Sequence, residues 1–236
     1  MMKWLLWIAV CMIVLPGCSL EKNGRPAETT KENAGMNTDL NGGLPRAAEH
    51  GDLDEIKRLI SDGADLNAQD SEGRTAVMIA TYNNDVEAAK LLIEAGADVN
   101  IRDNMKNNPF LYAGAEGYID ILKLTIVAGA DPHITNRYGG VAIIPASEHG
   151  YVDVVKLLLT ETDINVNHIN NLGWTALIEA IILNNGGKKQ QETIKLLIEH
   201  GADVNIPDGD GVTPLEHARI KGFKEIEDIL VAAGAR

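Results

Sequence analysis

Apolar and polar residues follow one another along this chain in blocks that return at a nearly constant interval. Short blocks of alanine and branched apolar residues, such as 76–80, precede longer blocks that contain an apolar triplet, such as 91–93. The phrase Gly-Ala-Asp-Val-Asn then follows at 96–100 and again at 201–205, with close variants at 63–67 and 129–133. Repeated phrasing of this kind predicts a stack of similar supersecondary units instead of one globular core.

Each unit carries start and stop signals for two helices. The residues that open the first helices lie 33, 33, 34 and 38 positions apart; they are Thr75, Asn108, Val141, Thr175 and Thr213. Thr213 supplies a capping hydroxyl, Pro214 fits the first helical position, and Glu216 completes a capping box. Gly96 and its equivalents follow the second helices, where a left-handed cap favours glycine.

These motifs, repeated in phase, resemble those of the ankyrin-repeat family over roughly Asp39 to Arg236. The resemblance implies an all-α repeat solenoid of about six helix-turn-helix units with β-hairpin tips, and we place this domain at 44–236. The expected units are about 39–69, 70–102, 103–135, 136–169, 170–207 and 208–236. The first unit lacks the Thr-Pro opening and the last has a polar outer face, as expected of capping units.

Two units depart from the repeated pattern. Unit four ends at 162–167 without a glycine and with one extra residue, so we expect its helix stop to be reshaped. Unit five has five extra residues around 184–189, between its two helices. We interpret this insertion as a tolerated loop, and a private contact with a partner is the alternative.

The N-terminus predicts export and lipidation. A short positive segment, 1–3, precedes an apolar run at 4–15, which is too short to span a membrane but fits a secretory signal. The sequence Leu15-Pro16-Gly17-Cys18 resembles a bacterial lipobox, which implies a signal peptide at 1–17 and a lipidated Cys18. Ordinary cleavage and an uncleaved anchor are the alternatives. Loss of Cys11 and lipidation of Cys18 would leave no thiol in the folded domain.

Residues 18–43 are predicted to tether the domain to the membrane. The segment is polar, contains Pro26 and shows no periodicity, which is typical of disorder. Ser19 after the cysteine resembles a signal for the outer membrane, so we expect a lipid-anchored protein of the bacterial envelope, on the periplasmic face of the outer membrane if the cell is Gram-negative. Initiation at Met36 would instead give a cytosolic short form, and an ordinary linker methionine is the competing interpretation.

The chain is acidic, with a formal net charge of −13. Residues 1–17 carry only Lys3, so the mature chain would be more acidic still. Such a charge argues against nucleic acid and anionic lipid as charge-driven partners, and it is compatible with a basic protein partner. We expect contact with the membrane through the lipid anchor only, and a monomer when the protein is free.

The sequence contains no convincing catalytic or metal-binding pattern. Asp208–Gly211 resembles the start of a calcium loop, but Val212 occupies the third ligand position and the segment is in phase with the predicted tips. None of the six histidines forms a zinc motif. Ser147, Glu148 and His149 are neighbours on a helix, so their side chains do not converge as a catalytic triad. We therefore predict no enzyme activity and no cofactor.

In ankyrin arrays, the tips and the exposed side of the first helices form a concave face that binds partners. The positions that this resemblance assigns to partner binding are Arg74, Tyr82, Met105, Asn107, Tyr112, Tyr138, His149, Leu172 and Trp174. Aromatic residues and arginine dominate interface hot spots, which favours several of these side chains. The alternative is that Trp174 only covers its own turn and that Tyr112 packs between first helices.

Three functions are weighed for this layout. It is similar to that of lipid-tethered bacterial ankyrin proteins, some of which are immunity proteins against toxins such as phospholipases of type VI secretion systems. The first expectation is therefore an inhibitor that clamps and neutralises a toxin effector at the envelope. The second is a scaffold or chaperone for an endogenous envelope enzyme, and the third is an enzyme or small-ligand binder.

Overall fold

The computed structural model describes residues 42–236. The predicted signal peptide, Cys18, Met36 and the tether as far as residue 41 lie outside the described residues. Twelve helices follow one another in the described part: α1 42–50, α2 Leu53–Ser61, α3 Ala76–Tyr82, α4 Val86–Glu94, α5 Pro109–Glu116, α6 Ile119–Val127, α7 Ile143–His149, α8 Val152–Glu161, α9 Ala176–Ile182, α10 Lys188–Glu199, α11 Pro214–Lys221 and α12 Lys224–Ala232. The predicted all-α repeat solenoid is confirmed.

The helices form two layers that extend along the array. The first helices of successive units pack side by side, as α3 on α5, α5 on α7, α7 on α9 and α9 on α11. The second helices do the same, from α2 on α4 to α10 on α12. A continuous core separates the two layers, with Phe110, Ile143 and Leu158 fully buried. Since each unit contacts mainly its neighbours, the architecture presents an extended surface.

Four of the five predicted helix starts are confirmed, and the fifth is displaced, since α7 begins at Ile143, two residues after Val141, without a side-chain cap. The hydroxyls of Thr75 and Thr175 accept the backbone N–H groups three residues ahead, at 3.3 and 3.2 Å. Thr213 and Glu216 form both bonds of the capping box, and Pro214 begins α11. Asn108 takes the same role for α5, where its Oδ1 accepts the N–H of Leu111 at 2.8 Å. Asparagine therefore replaces threonine here without loss of the cap.

The helix stops are also as predicted, including the exception. Gly63, Gly96, Gly129, Gly201 and Gly234 all have positive φ angles, between 79° and 101°. Unit four has Thr162 in an extended conformation instead, and its hydroxyl donates to the carbonyl of Leu158 at 2.6 Å. A side chain thus ends α8 where glycine ends the other second helices, which is the reshaped stop that the sequence indicates.

The prediction of β-hairpins at the tips is wrong, because no strand occurs between residues 42 and 236. Each tip is a five-residue turn: the N–H of Asp70 donates to the carbonyl of Arg74 at 3.0 Å. The Asp70 Oδ1 accepts the N–H groups of Glu72 and Arg74 at 3.0 and 2.8 Å. The tips that begin at 103, 136, 170 and 208 repeat this arrangement. A turn that closes within five residues leaves no room for a ladder.

The boundary between tether and domain also needs correction. Residues 42 and 43 belong to α1, so a tether that extends to Gly43 is two residues too long. A Cβ atom on Gly43 would lie 3.1 Å from a methyl carbon of Leu59, and Leu44 is completely buried. Gly42 is exposed and has nothing within 4 Å of such a Cβ, so the packing of Gly43 and Leu44 marks where the first unit begins.

The insertion in unit five lengthens both a helix and a linker. Helix α10 has 12 residues where α4 has 9, and the linker 183–187 replaces a shorter one at 83–85. The amide of Asn184 donates to the backbone carbonyl of Glu148 at 2.6 Å, and Gln190 donates to Asn184 at 2.9 Å. The insertion is therefore bonded to unit four.

Candidate protein-binding face

Three exposed apolar side chains occupy the same position in consecutive tips. Met105, Tyr138 and Leu172 are each the third residue of their turn, and they are 49%, 51% and 56% exposed. The equivalent residues in the outer tips are Glu72 and Asp210. We call the line of Met105, Tyr138 and Leu172 the tip ridge. Carboxylates bound this ridge at both ends, so it is a confined apolar surface.

Bonds between adjacent tips hold the ridge in place. The N–H of Asn104 donates to the carbonyl of Glu72 at 3.0 Å, and the N–H of Asn171 donates to the carbonyl of Tyr138 at 2.9 Å. Arg137 spans the remaining gap: its guanidinium lies 4.8 Å from the centre of the Tyr138 ring and 3.7 Å from the sulfur of Met105. The cation–π contact restricts the tyrosine ring before any partner binds.

Arg74 is engaged by carboxylates of its own unit and of unit one. Its Nε donates to Asp70 at 2.7 Å, and its guanidinium lies 3.6 Å from Glu72 and 3.7 Å from Glu49. Although burial opposes the change, these carboxylates raise the pKa of Arg74. Only a quarter of the side chain is exposed. Arg74 therefore stiffens the outer tip, and a partner would have to share it with three carboxylates.

Tyr82, Asn107 and Tyr112 are brought together at the base of the tips. The Tyr82 hydroxyl donates to Asp103 Oδ2 and accepts from the amide of Asn107 at 3.0 Å. The Tyr82 and Tyr112 rings meet edge to face at 4.4 Å between centroids. Burial raises the pKa of both phenols, that of Tyr112 to about 12. We call these half-buried side chains beside the ridge the tyrosine floor, and Tyr112 also contacts Tyr118, at 6.2 Å between ring centroids.

Trp174 and His149 lie apart from this floor. The backbone N–H of Trp174 donates to Asn170 Oδ1 at 3.0 Å, and its side chain is half-buried in the tip of unit five. His149 is exposed at the end of α7, with its ring 5.3 Å from that of Tyr151. Of the nine predicted positions, the three of the tip ridge are the most exposed apolar group that the structure brings into line.

One acidic residue of this face was missed in the sequence. Glu179 lies in α9 with only 6% of its surface exposed, and its Oε1 accepts the amide of Asn170 at 2.8 Å. Burial, and then the nearby charge of Glu148, raise the pKa of Glu179 to about 7. The sequence did carry a signal, because Glu179 is the one charged residue in the apolar segment 176–182. Its neighbours on every side of this helix are apolar, which indicates burial.

The segment that resembles a calcium loop is a closed turn. Asp208 Oδ2 lies 2.8 Å from Nε2 of His217, and its other oxygen accepts two backbone N–H groups. Although burial opposes the change, the N–H of Val212 and then His217 lower the pKa of Asp208. Within residues 42–236, no three His, Cys, Asp or Glu side chains converge as a metal site would require. In the same residues, no helix has the length and apolar character to span a bilayer.

A shallow cavity lies away from the tip ridge. It has a volume of about 250 Å³ and is bounded by Gly117, Tyr151 and Lys189, at the starts of the second helices. Its open shape and mixed walls differ from those of an enclosed ligand site. The arrangement of the described residues thus favours contact with another macromolecule over small-molecule chemistry.

Comparison with known sequences agrees with this geometry. The family described as ankyrin repeats (3 copies) matches residues 44–136, 110–208 and 146–236. The chain is 44% identical over 189 residues to the ankyrin repeat protein YahD of Escherichia coli (strain K12), covering 80% of this chain and 94% of that one. It is 35% identical over 72 residues to protein phosphatase 1 regulatory subunit 27 of Mus musculus, covering 30% of this chain and 44% of that one.

Solved structures share both the architecture and much of the sequence. An ankyrin repeat domain from Acinetobacter baumannii AYE has a TM-score of 0.80 and 52% identity, covering 82% of this chain and 98% of that one. The ankyrin repeat protein EF0377 has a TM-score of 0.79 and 42% identity, covering 81% and 97%. Helix order, repeat period and these likenesses together show that this chain belongs to the ankyrin-repeat family.

Proposed function

We propose that this protein is a non-catalytic module whose tip ridge and tyrosine floor hold a partner protein. Ankyrin-repeat proteins are generally non-catalytic modules for protein interaction. The observation that carries the proposal is the line of Met105, Tyr138 and Leu172, half exposed in consecutive tips. Burial of apolar surface contributes about 25 cal/mol per Å², and anchors that are already ordered lose little entropy on binding.

We further propose that the partner is a toxin effector and that binding neutralises it at the cell envelope. The N-terminal sequence, with its apolar run at 4–15 and lipobox-like Cys18, supports a lipid-anchored module. A tethered clamp at a membrane surface is well situated to intercept an enzyme that attacks lipid, such as a phospholipase. The partner would be blocked by occlusion of its active site or by locking of its lid.

A scaffold for an endogenous envelope enzyme is the second candidate. The likeness to the mouse protein favours it, since that protein is named as a regulatory subunit of an enzyme. The two candidates require the same face and differ in the identity of the enzyme and in the sign of the effect. Inhibition of a secreted hydrolase defines the first, and support of a resident enzyme defines the second.

Affinity capture with the full chain tests the face. The triple variant Met105→Ala, Tyr138→Ala, Leu172→Ala should reduce capture of the partner at least about tenfold, because three anchors are lost, while thermal unfolding stays unchanged. The matched control replaces exposed apolar residues away from the ridge: Val127→Ala with Val231→Ala, at positions 89% and 50% exposed. Equal capture by the ridge variant would contradict the proposal.

The captured enzyme separates the two candidates. Its activity is measured with and without the chain: a decrease supports the inhibitor, and an increase supports the scaffold. A Cys18→Ala chain tests the lipid anchor in the same cells, since labelled fatty acid should be incorporated into the wild type and not into the variant. A wild-type chain that incorporates no label, or equal labelling of the two chains, would contradict lipidation at Cys18.

A further inference from the structure

Two carboxylates without a counter-ion lie close together on the first helices of units four and five. Glu148 is half-buried near the end of α7, and Glu179 is almost fully buried in α9. The one hydrogen bond to the Glu179 carboxylate comes from the neutral amide of Asn170, at 2.8 Å. Within residues 42–236, none of the ion pairs involves Glu148 or Glu179.

Two comparable acids of the array lie against basic side chains of the chain itself, and a third, Asp103, is buried with three hydrogen-bond donors instead. Asp70 is paired with Arg74 at 2.7 Å, and Asp208 lies 2.8 Å from His217. In unit five the tip carries Asn170 in place of aspartate, and the acid is on the helix as Glu179. A buried carboxylate beside a like charge is costly unless a cation is supplied. Glu179 has one neutral donor and a like charge beside it, so this site can take a cation from outside the chain.

The repeat register places this acid pair on the concave face. Glu148 lies seven residues after the opening residue of its unit, and Glu179 lies four residues after that of the next. Tyr82 and Tyr112 have the same two positions in units two and three, and their rings are in contact. One pair of positions is therefore aromatic at one end of the face and acidic towards the other.

We propose that the partner presents a lysine or arginine side chain to Glu148 and Glu179 while its neighbouring apolar residues pack on the tip ridge. This inference rests on the proposed function and names the chemistry of the partner segment. Leu183, which is 48% exposed, precedes Asn184, the residue bonded to the Glu148 carbonyl at 2.6 Å. An exposed apolar side chain thus lies next to the acid pair, where the aliphatic stem of a lysine or arginine can pack.

The site also links binding to pH. A bound cation favours the ionised form of Glu179, so its pKa, about 7 in the free protein, falls when the partner binds. Affinity should therefore rise as pH increases towards about 7 and level off above it. Glu148 on α7 is the charged group that acts on Glu179, and His217 on α11 is engaged by Asp208.

A phage-displayed library of random short peptides, selected on the full chain, tests this inference. Enriched peptides should carry lysine or arginine among apolar residues. The affinity of the synthetic peptides should fall about tenfold or more in E148Q/E179Q, as for loss of a buried charge pair, and should no longer rise with pH in that variant. The matched control is E87Q/E225Q, at exposed positions on the second helices away from the ridge and the acid pair, and it should bind as the wild type does.

The outcomes separate this inference from the proposed function. Peptides that need the tip ridge but bind E148Q/E179Q as tightly as the wild type overturn the acid-pair inference alone. A selection in which no enriched peptide depends on the ridge contradicts the proposed function, and this inference falls with it. If the double variant unfolds, E148Q alone serves, because Glu148 is half-buried and its replacement leaves the bond between Glu179 and Asn170 in place.

Discussion

The junctions between successive units are closed in two different ways. At four of them, an asparagine Oδ1 accepts a backbone N–H of the next unit at 2.8 to 3.0 Å; these residues are Asn67, Asn100, Asn167 and Asn205. The junction between units three and four has His133 instead. Its Nε2 lies 3.4 Å from an exposed oxygen of Asp163, and the asparagine bridge is missing.

The exceptional junction is held mainly at its other side. A Cβ atom on Gly114 would lie 2.9 Å from the Cβ of Ala142, so the first helices approach more closely there than a side chain allows. At the tips, Arg137 connects Tyr138 to Met105. The array thus replaces a polar bridge with a close contact between α5 and α7, and with the Arg137 contacts at the centre of the tip ridge. Units with the same helices can be joined by different forces.

The largest effect is expected where the helices are closest. Gly114→Leu forces a side chain between α5 and α7, and overpacking of this kind costs about 3 kcal/mol of unfolding free energy. Urea unfolding followed by circular dichroism measures the loss. The control is Ala115→Leu on the next, half-buried residue, where less than about 1 kcal/mol should be lost. Equal losses in both variants would show that the contact with Ala142 is not limiting.

A smaller effect should separate the two kinds of junction. Asn100→Ala removes the acceptor for the N–H of Asp131, a bond of 2.8 Å, and the cost should be about 1 kcal/mol. His133→Ala at the equivalent position should cost less than about 0.5 kcal/mol, because only an exposed pair is lost. The same unfolding measurement compares the two variants. A larger loss in His133→Ala would reverse our account of the junctions.

The smallest effect is a gain. His133→Asn supplies the missing bridge, with the backbone N–H of Asn165 as the donor in the equivalent position of unit four. We expect about 0.5 kcal/mol of added stability, the low end for one net hydrogen bond. Asp163→Asn controls for the lost pair and should leave the unfolding midpoint in place, since both partners are exposed. No gain would mean that the longer α8 keeps the donor out of reach.

Much of the fold could be predicted because its signals are local and repeated. Threonine caps, glycine stops and the spacing of apolar blocks depend on neighbours in sequence, and each recurs several times. The prediction of β-hairpins at the tips was wrong, because hairpin formation is not decided by such local signals alone. Whether a turn continues into a ladder depends on which side chain closes it, and Asp70 and its equivalents close it at once.

The candidate site was harder to predict, because a face is defined across units. Tyr82 is assigned to partner binding by register, yet its hydroxyl is engaged by Asp103 of the next unit. The burial of Glu179 was not predicted, since it depends on α7 and on the tip at Asn170. Met105, Tyr138 and Leu172 were identifiable because exposure at a tip follows directly from the repeat.

In each five-residue tip, the first and the third residue have different roles. The first residue shapes the turn with its carboxylate or amide, so the third residue contributes mainly backbone to the fold and leaves its side chain to the solvent. Changes at 72, 105, 138, 172 and 210 can therefore accumulate with little penalty to folding. Partner specificity can therefore change through substitutions at a few tip positions while the fold stays the same.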